Sequence, residues 1–450
     1  MVLIGLEIHG YLKTKEKLFC NCSTQGEKPN TTICPICTGQ PGSKPMLPNK
    51  EAIKKAVQIG LMLNTKINTD DKKNLIWQRK HYNWPDLPKG YQNTLSGSYA
   101  IPVGENGKFL GIRIRELHLE EDPAAWNPET GEIDYNRSGL PLIEIVTEPD
   151  FTSSQEVAEW LKNLIITLSY IKAIKKSSGI KADVNVNIKG KSERTEIKNI
   201  HSISDIVKAI DYEEKRHEKE KPKFKETRRW NSQKNITEPM RTKESQADYR
   251  FISDPDLPVI KISVKLVNSI KSNLPETPEE KLKKLIKKHK IAEKDAKILA
   301  KNLELVELVE ELSNHVEVKN HISWITIELL RVLNYSKKTL EEVEIQAHHI
   351  GELINAVKDK KITELKAKQI MNEFIPKSFS IKEKKDISKI KDTEIKSICI
   401  KVISSNKKAV QDYKNGEEKS LNFLIGEVMK LSNRRADFKT AKEELLKLLK

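Results

Sequence analysis

The chain has 450 residues, with 80 Lys+Arg against 64 Asp+Glu and a net charge of +16. At ~100–200 residues per domain this length predicts two to four domains. A hydrophobic content of 37% is enough to build packed cores, which excludes wholesale disorder. No run reaches the ~18 apolar residues of a membrane helix, and MVLIGLEIHG carries Glu7 and His9 without a basic n-region. The expectation is a cytoplasmic protein with no membrane association. The basic excess raises nucleic acid as a partner, with compositional bias or heat adaptation as the alternative.

In chain order, Val2–Ile8 reads as the first strand, and Glu7 and His9, two apart, share one of its faces. Four cysteines follow as Cys20-Asn-Cys22 and Cys34-Pro-Ile-Cys37. Two chelating pairs on separate turns suit a tetrahedral structural zinc with no open position for catalysis; reduced thiols or a disulfide pair are the alternatives. Trp84–Gln92 is a Pro-framed loop carrying Lys89, Tyr91 and Gln92, of the kind that caps a core or lines a site. Gly111–Leu119, Leu140–Val146 and Ala182–Ile188 read as further strands. His118-Leu119-Glu120-Glu121-Asp122 ends one of these runs, and Glu144 stands amid Ile and Val, where an unpaired carboxylate is costly. Carboxylates and a His on one face fit Mg²⁺ with nucleotide phosphates; ion pairs with Arg113, Arg115 or Arg137 are the alternative.

Ser153–Ala173 is a helix capped by Ser153 or Ser154, and the absence of regular βαβ alternation gives an α+β class with antiparallel strands. Lys208–Arg229 reads as a solvated helix running into an exposed loop. Gly190-Lys191-Ser192 fails as a phosphate loop because Asn185 stands where Gly is needed, and no Gly-x-Gly-x-x-Gly opens a helix. A nucleophile elbow is absent, and Cys399 in SICIKVI reads as a core residue. From Thr277-Pro278-Glu279-Glu280 the pattern turns helical. The last 75 residues hold 19 Lys+Arg and 11 Asp+Glu, half the net charge in a sixth of the chain. That concentration points to nucleic-acid binding by the tail, with Lys407, Lys408, Arg434 and Arg435 as candidate contacts.

Several motifs occur in a fixed order: Gly5–His9, Lys17–Cys20, Pro85–Gln92, His118–Asp122, Asp134–Arg137, Pro141–Val146 with Glu148-Pro149-Asp150, Glu196–Asn199, and Asp248–Phe251 through Asp254–Pro258. Together they resemble the B-subunit family of the tRNA-dependent amidotransferases (GatB), and Asn415–Met429 resembles the YqeY-like module that closes it. The resemblance implies a cradle like glutamine synthetase and guanido kinases over 1–274, a helical linker over 275–375 and a tRNA-binding tail over 376–450. It implies ATP-dependent phosphorylation of the side-chain carboxylate of Asp-tRNA(Asn) or Glu-tRNA(Gln), then amidation by ammonia. The ammonia would come from a glutaminase, the A component of the complex, with a small C component bracing the pair, in keeping with the missing nucleophile. Carried over by motif, His9, Glu120 and Glu144 are the Mg²⁺ ligands with Glu7 beside them, and Lys89 and Tyr91 stand at the ammonia passage or support the fold. The chain departs from the family pattern at Pro123-Ala124-Ala125 and in Ser177–Ile188. Only some twenty residues separate Leu257 from Thr277, too few for the synthetase-like insert of the related GatE proteins. A zinc-stapled tRNA adaptor without catalysis is the competing reading.

Overall fold

The strand Val2–Tyr11 (β1) alternates strictly: Ile4, Leu6 and Ile8 are buried, while Glu7, His9 and Tyr11 are half-buried on the other face. The same alternation recurs over 143–147 and 181–188 in strands of the sheet that β1 joins. In the computed structural model every residue is described except 83, 98, 176–179, 199, 201, 241–249 and 450. Asn199, Asp248-Tyr249 and 177–179 of the sequence motifs therefore lie outside the described residues. The chain divides into two units, Met1–Thr277 and Pro278–Lys450.

The remaining strands of the first unit are β2 (Lys66–Ile67), β3 (Gln78–His81), β4 (Tyr91–Thr94), β5 (Gly104–Phe109), β6 (Ile112–Glu121), β7 (Ala125–Trp126), β8 (Ile133–Asp134), β9 (Pro141–Thr147), β10 (Ile180–Ile188), β11 (Thr195–Lys198), β12 (Glu226–Asn231), β13 (Ile236–Pro239) and β14 (Arg250–Ser253). Twelve form one sheet in the order β13-β12-β11-β10-β1-β9-β6-β4-β3-β14, with β5 on β6 and β2 on β5. β7 and β8 pair separately. Every neighbouring pair is antiparallel except β11–β12. The α+β class with an antiparallel tendency is thus observed.

Four helices accompany the sheet: α1 (Lys50–Met62), α2 (Ser154–Tyr170), α3 (Ile203–Glu220) and α4 (Val264–Ser272). The expected cap of α2 is Ser153, whose hydroxyl accepts from Glu156 N at 3.2 Å. Val157, Trp160, Leu161, Leu164 and Leu168 then fall on one face at the 3–4 spacing. They share a core with Ile4, Leu6 and Ile8 of β1, Ile143 and Ile145 of β9, and Ala182, Val184 and Val186 of β10. Helices cover one face of the sheet, and the polar face is left to other uses.

The segment 208–229 corrects its sequence reading. The helix and the exposed loop at 221–225 are present as expected, but α3 also holds a buried ionic cluster on its inner side, and the segment ends inside β12 rather than in a loop. Glu213 and His217 are fully shielded from solvent. Arg216 Nη2 reaches Glu213 at 2.7 Å, and His217 Nε2 meets Thr195 Oγ1 at 2.8 Å. The run looked solvated because its charges are dense; i, i+3 and i, i+4 spacing instead lets them satisfy one another on a buried face.

In the second unit the expected start holds, with the first helix spanning Pro278–Lys287 and Glu279 and Glu280 in its opening turn. Two apolar cores follow. One gathers Leu285, Val306, Val309, Ile325, Ile350, Ile370 and Phe374; the other gathers Ile395, Val402, Leu424, Val428, Ala441 and Leu445. Cys399 is fully buried in the second and is a packing residue, as its context predicted.

The ionic cluster makes a pH prediction. Burial alone would raise the Glu213 carboxyl, but hydrogen bonds from His217, Arg216 and Thr237 overcome it and hold it at about 2. The folded value lies below the unfolded one, so the stabilisation is present above ~4.3 and is lost as pH falls toward 2. Glu213→Gln removes one of three carboxylates around Arg216, which keeps Glu220 at 3.0 Å and Glu226, and should cost ~1–3 kcal/mol at pH 7. Urea unfolding from pH 7 to pH 3 checks this: the gap between wild type and variant should narrow as pH falls.

Candidate functional site

The polar face of the sheet is assembled by register. His9 pairs across β1–β9 with Glu144, and Glu144 pairs across β9–β6 with His118. On the other side Glu7 faces Asp183 and His9 faces Lys181 in β10, while Asn185 faces Glu196 in β11. Directly opposed residues of an antiparallel pair project to the same face. Residues more than a hundred positions apart in sequence therefore converge on one surface.

His9, Glu120 and Glu144 come together as expected. His9 Nε2 lies 3.5 Å from Glu120 Oε1 and 3.7 Å from Glu144 Oε1. They line a cavity of about 300 Å³ with Glu7, Tyr11, Lys80, Gln92, Asp122, Arg137, Lys181, Asp183 and Lys198. Burial and then the neighbouring Glu144 charge push the Glu120 carboxyl up, against the pull of His9 and Lys80. Glu7 is likewise pushed up by burial and then by Glu144 and Glu196. Crowded carboxylates with raised values are the electrostatic signature of a site whose counter-charge is a cation. The donor set, oxygens with one imidazole, fits a hard divalent ion.

The tightest acidic group is adjacent to this set but not identical to it. Oxygens of Glu7, Asp183 and Glu196 all lie within 4.8 Å of one another. Lys198 Nζ sits 2.6 Å from Asp183 Oδ2 and 2.6 Å from Glu196 Oε1. Burial would lower the Lys198 ammonium, but the two carboxylates raise it above its ordinary value. The sequence reading gave Asp183, Glu196 and Lys198 no role, nor Lys181 or Lys80. Lys181 and Asp183 were signalled by alternation in β10, where Lys181, Asp183 and Asn185 occupy every second position, and Glu196 and Lys198 by the motif Glu196–Asn199.

The four-cysteine group also assembles. The sulfurs of Cys20, Cys22, Cys34 and Cys37 all lie within 4.8 Å of one another, and all four thiols are free. A zinc tetrahedron with ~2.3 Å Zn–S bonds separates its sulfurs by about 3.8 Å, so the residues fit the ion. The Cys34 amide donates to Cys37 Sγ at 3.2 Å, and Lys17 Nζ lies 3.4 Å from the same sulfur. The hydrogen bond from Cys20, the backbone of Cys34 and the Lys17 charge lower the Cys37 thiol to about 4 against the effect of burial. The knuckle grips the site from behind. Ser138 Oγ donates to the Cys37 carbonyl at 2.7 Å, and Leu18 N bonds the Gly139 carbonyl at 2.8 Å. Those residues follow Arg137, which lines the cavity and reaches Asp122 at 3.2 Å. Gly39 has φ +64°, and a Cβ there would stand 2.5 Å from the Pro88 carbonyl, so only glycine lets the knuckle pass the Pro85–Gln92 loop.

In that loop Lys89 pairs with Glu121 and donates to Asn93 Oδ1 at 2.9 Å. Arg79 lies 4.5 Å and Lys89 5.0 Å from the centroid of the Tyr91 ring. Burial pushes the Tyr91 phenol up to about 12. Arg79 is itself tied to Asp254 at 2.8 Å and Asp256 at 2.9 Å. Lys89 and Tyr91 also line a small void with Gln92, Asp122 and Pro123, residues shared with the carboxylate cavity. In the tail, Lys407 and Lys408 are exposed at the start of the helix Lys407–Lys414. Arg434 and Arg435 fall in the turn after the helix Glu418–Leu431. Arg434 is exposed, while Arg435 Nε donates to the Ser388 carbonyl at 2.9 Å.

Comparison with known proteins places this architecture. Residues 2–268 match the GatB/GatE catalytic domain model, and residues 304–449 match the GatB domain model. The B subunit of the aspartyl/glutamyl-tRNA(Asn/Gln) amidotransferase of Methanocaldococcus jannaschii is 42% identical, the match covering 98% of this chain and 96% of that protein. The protein of the same name from Methanothermobacter thermautotrophicus is 41% identical over 96% of this chain and 97% of its own. In Methanococcus maripaludis strain C5 the figures are 41%, 98% and 97%. With catalytic and C-terminal models both matched and near-full-length relatives above 40% identity, the chain belongs to the GatB family of amidotransferase B subunits.

Proposed function

We propose that this chain is the activating and amidating component of a tRNA-dependent amidotransferase, acting on Asp-tRNA(Asn), Glu-tRNA(Gln) or both. The observation that carries the reading is the cation-ready carboxylate face, where His9 stands within 3.7 Å of Glu120 and Glu144. In the reaction, an oxygen of the substrate's side-chain carboxylate attacks the γ-phosphorus of ATP and ADP leaves. Ammonia then attacks the acyl carbon, phosphate departs and nitrogen loses a proton. The carboxylate is already ionised at pH 7, so the first step needs no general base.

The demand on the protein is charge stabilisation and placement. His9, Glu120 and Glu144 would hold Mg²⁺, with Glu7 beside them; when bound, the ion supplies positive charge against the phosphates. Lys80 and Lys181 line the cavity and would provide fixed cations for phosphate oxygens, while Lys198, in the same lining, is held by Asp183 and Glu196. Arg137 is immobilised by hydrogen bonds to the carbonyls of Pro123 and Ala124, so its charge is placed before substrate arrives. No glycine cradle is needed when side chains and a carboxylate-bound cation take the phosphates. The Lys89–Glu121 pair and Tyr91 would form the polar inlet through which ammonia from a glutaminase partner reaches the acyl phosphate. Zinc on the four cysteines would fix the Ser138-Gly139 turn and, through it, Arg137.

Three outcomes test the account in the complex reconstituted with its glutaminase and small partner proteins. Glu144→Gln and Glu120→Gln should each lower amide formation on Glu-tRNA(Gln) or Asp-tRNA(Asn) by on the order of 10²-fold or more; undiminished turnover would reject the ligand assignment. Cys34→Ser with Cys37→Ser should abolish bound zinc by elemental analysis and lower the melting temperature of the cradle unit, because the loop loses its closed tetrahedron. Lys407→Glu with Lys408→Glu should weaken tRNA binding and flatten the slope of log K against log[salt] by roughly one for each phosphate no longer neutralised; an unchanged affinity at ~100 mM salt would remove these lysines from the interface.

A further inference from the structure

The loop 221–225 and the turn 189–194 carry charge that the carboxylate site does not use. Together they hold six Lys+Arg and one Glu in eleven residues, against 80 Lys+Arg in 450 for the whole chain. Compositional bias raises lysine everywhere and does not gather it in one place.

The two segments are tied into one surface. The Glu193 amide bonds the Pro222 carbonyl at 2.8 Å, and the Glu226 amide bonds the Arg194 carbonyl at 3.2 Å. Ser192 Oγ meets His217 Nδ1 at 2.7 Å, which anchors the turn on the buried cluster of α3. Lys221 closes α3 in the left-handed region, at φ 49°, with its amide on the His217 carbonyl at 3.2 Å. The backbone of the loop is thus held at both ends while its side chains face water. Lys191, Arg194, Lys221, Lys223 and Lys225 are exposed, and among the described residues none of the five sits in an ion pair.

Phe224 stands among these cations with 83% of its surface exposed. One exposed ring is ordinary on a protein surface; its setting among five unpaired cations is not. Charge alone would suit any polyanion, and a ring alone any apolar partner. Lysines interleaved with an exposed ring match a nucleic-acid strand, whose phosphates take ammonium groups and whose unpaired bases take aromatic faces.

The patch is separate from the carboxylate cavity. Asp183, which lines the cavity, and Ile188, which precedes the turn, are five residues apart in β10, about 17 Å at ~3.4 Å per residue. An aminoacyl end held in the cavity therefore leaves the patch to nucleotides further along the RNA.

We propose that the 189–194 turn and the 221–225 loop form an RNA contact of the first unit, in which Lys191, Arg194, Lys223 and Lys225 take phosphates and Phe224 stacks on an unpaired base. The proposal rests on the amidotransferase reading for the identity of the RNA, and adds a binding surface outside both the cavity and the basic tail.

The test is the binding of uncharged tRNA to the reconstituted complex, read as Kd over a salt series. Lys223→Gln with Lys225→Gln should weaken binding about 10-fold at ~100 mM salt and flatten the slope of log K against log[salt] by roughly one to two. Phe224→Ala should weaken binding by roughly 5- to 100-fold and leave the slope unchanged, since a ring neutralises no phosphate; Phe224→Tyr should restore most of the affinity. These positions are exposed, so the melting temperature and complex assembly should stay at wild-type values. Wild-type Kd and slope in both the lysine and the alanine variants would overturn the proposal. So would weaker binding to phosphatidylglycerol vesicles with tRNA affinity unchanged, which would assign the loop to a membrane surface. Loss of complex assembly with tRNA affinity unchanged would likewise overturn it, in favour of a protein partner. Uncharged tRNA binds without catalysis, so failure of the amidation reading would show separately, as wild-type tRNA affinity without amide product.

Discussion

The structure depends on one constraint: the two-residue period of the β-strand, applied across a sheet with helices on one face. Apolar residues at Ile4, Leu6, Ile8, Ile143, Ile145 and Val184 weld that face to α2 and α3. The intervening positions are then forced onto the other face together. Had β1 slipped by one residue against β9 or β10, Glu7 and His9 would point into the core and the site would vanish. The same burial that fixes the register brings like charges close enough to raise Glu7 and Glu120. Crowding carboxylates destabilises the isolated fold, a cost that a bound cation would offset.

Around this face the chain spends its special chemistry on holding loops still. The four cysteines gather behind the turn at Ser138-Gly139, the Arg79–Asp254 pair ties β3 to the segment after β14, and the knuckle threads past Pro88 at a glycine. Each device fixes a loop that lines the cavity or its approaches. Rigid support matters where catalysis works through charge placement, because a misplaced cation stabilises nothing.

Much of this was legible in the sequence, for identifiable reasons. The alternating or β-branched runs Val2–Ile8, Gly111–Leu119, Leu140–Val146 and Ala182–Ile188 fall within or overlap the strands observed, α2 is signalled by its serine cap and periodic apolar residues, and the cysteine group by its spacing. Charged residues inside apolar strands drew attention to His9, the His118–Asp122 run and Glu144, and the family resemblance then singled out His9, Glu120 and Glu144. What escaped was whatever depends on which strands become neighbours. Asp183, Glu196 and Lys198 meet Glu7 only because β10 lies between β1 and β11, an order that no local pattern encodes. The run around Glu213 and Arg216 misled because charge density alone does not reveal whether charges face water or one another.

The central claim is that the face carrying His9, Glu120 and Glu144 binds the divalent ion that serves phosphoryl transfer. The most direct measurement is the anomalous scattering of Mn²⁺ in crystals of the full complex grown with ADP. The account predicts a peak within roughly 2.5 Å of His9 Nε2 and of carboxylate oxygens of Glu120 and Glu144. Crystals with ADP bound, and manganese absent from these three residues, would contradict it.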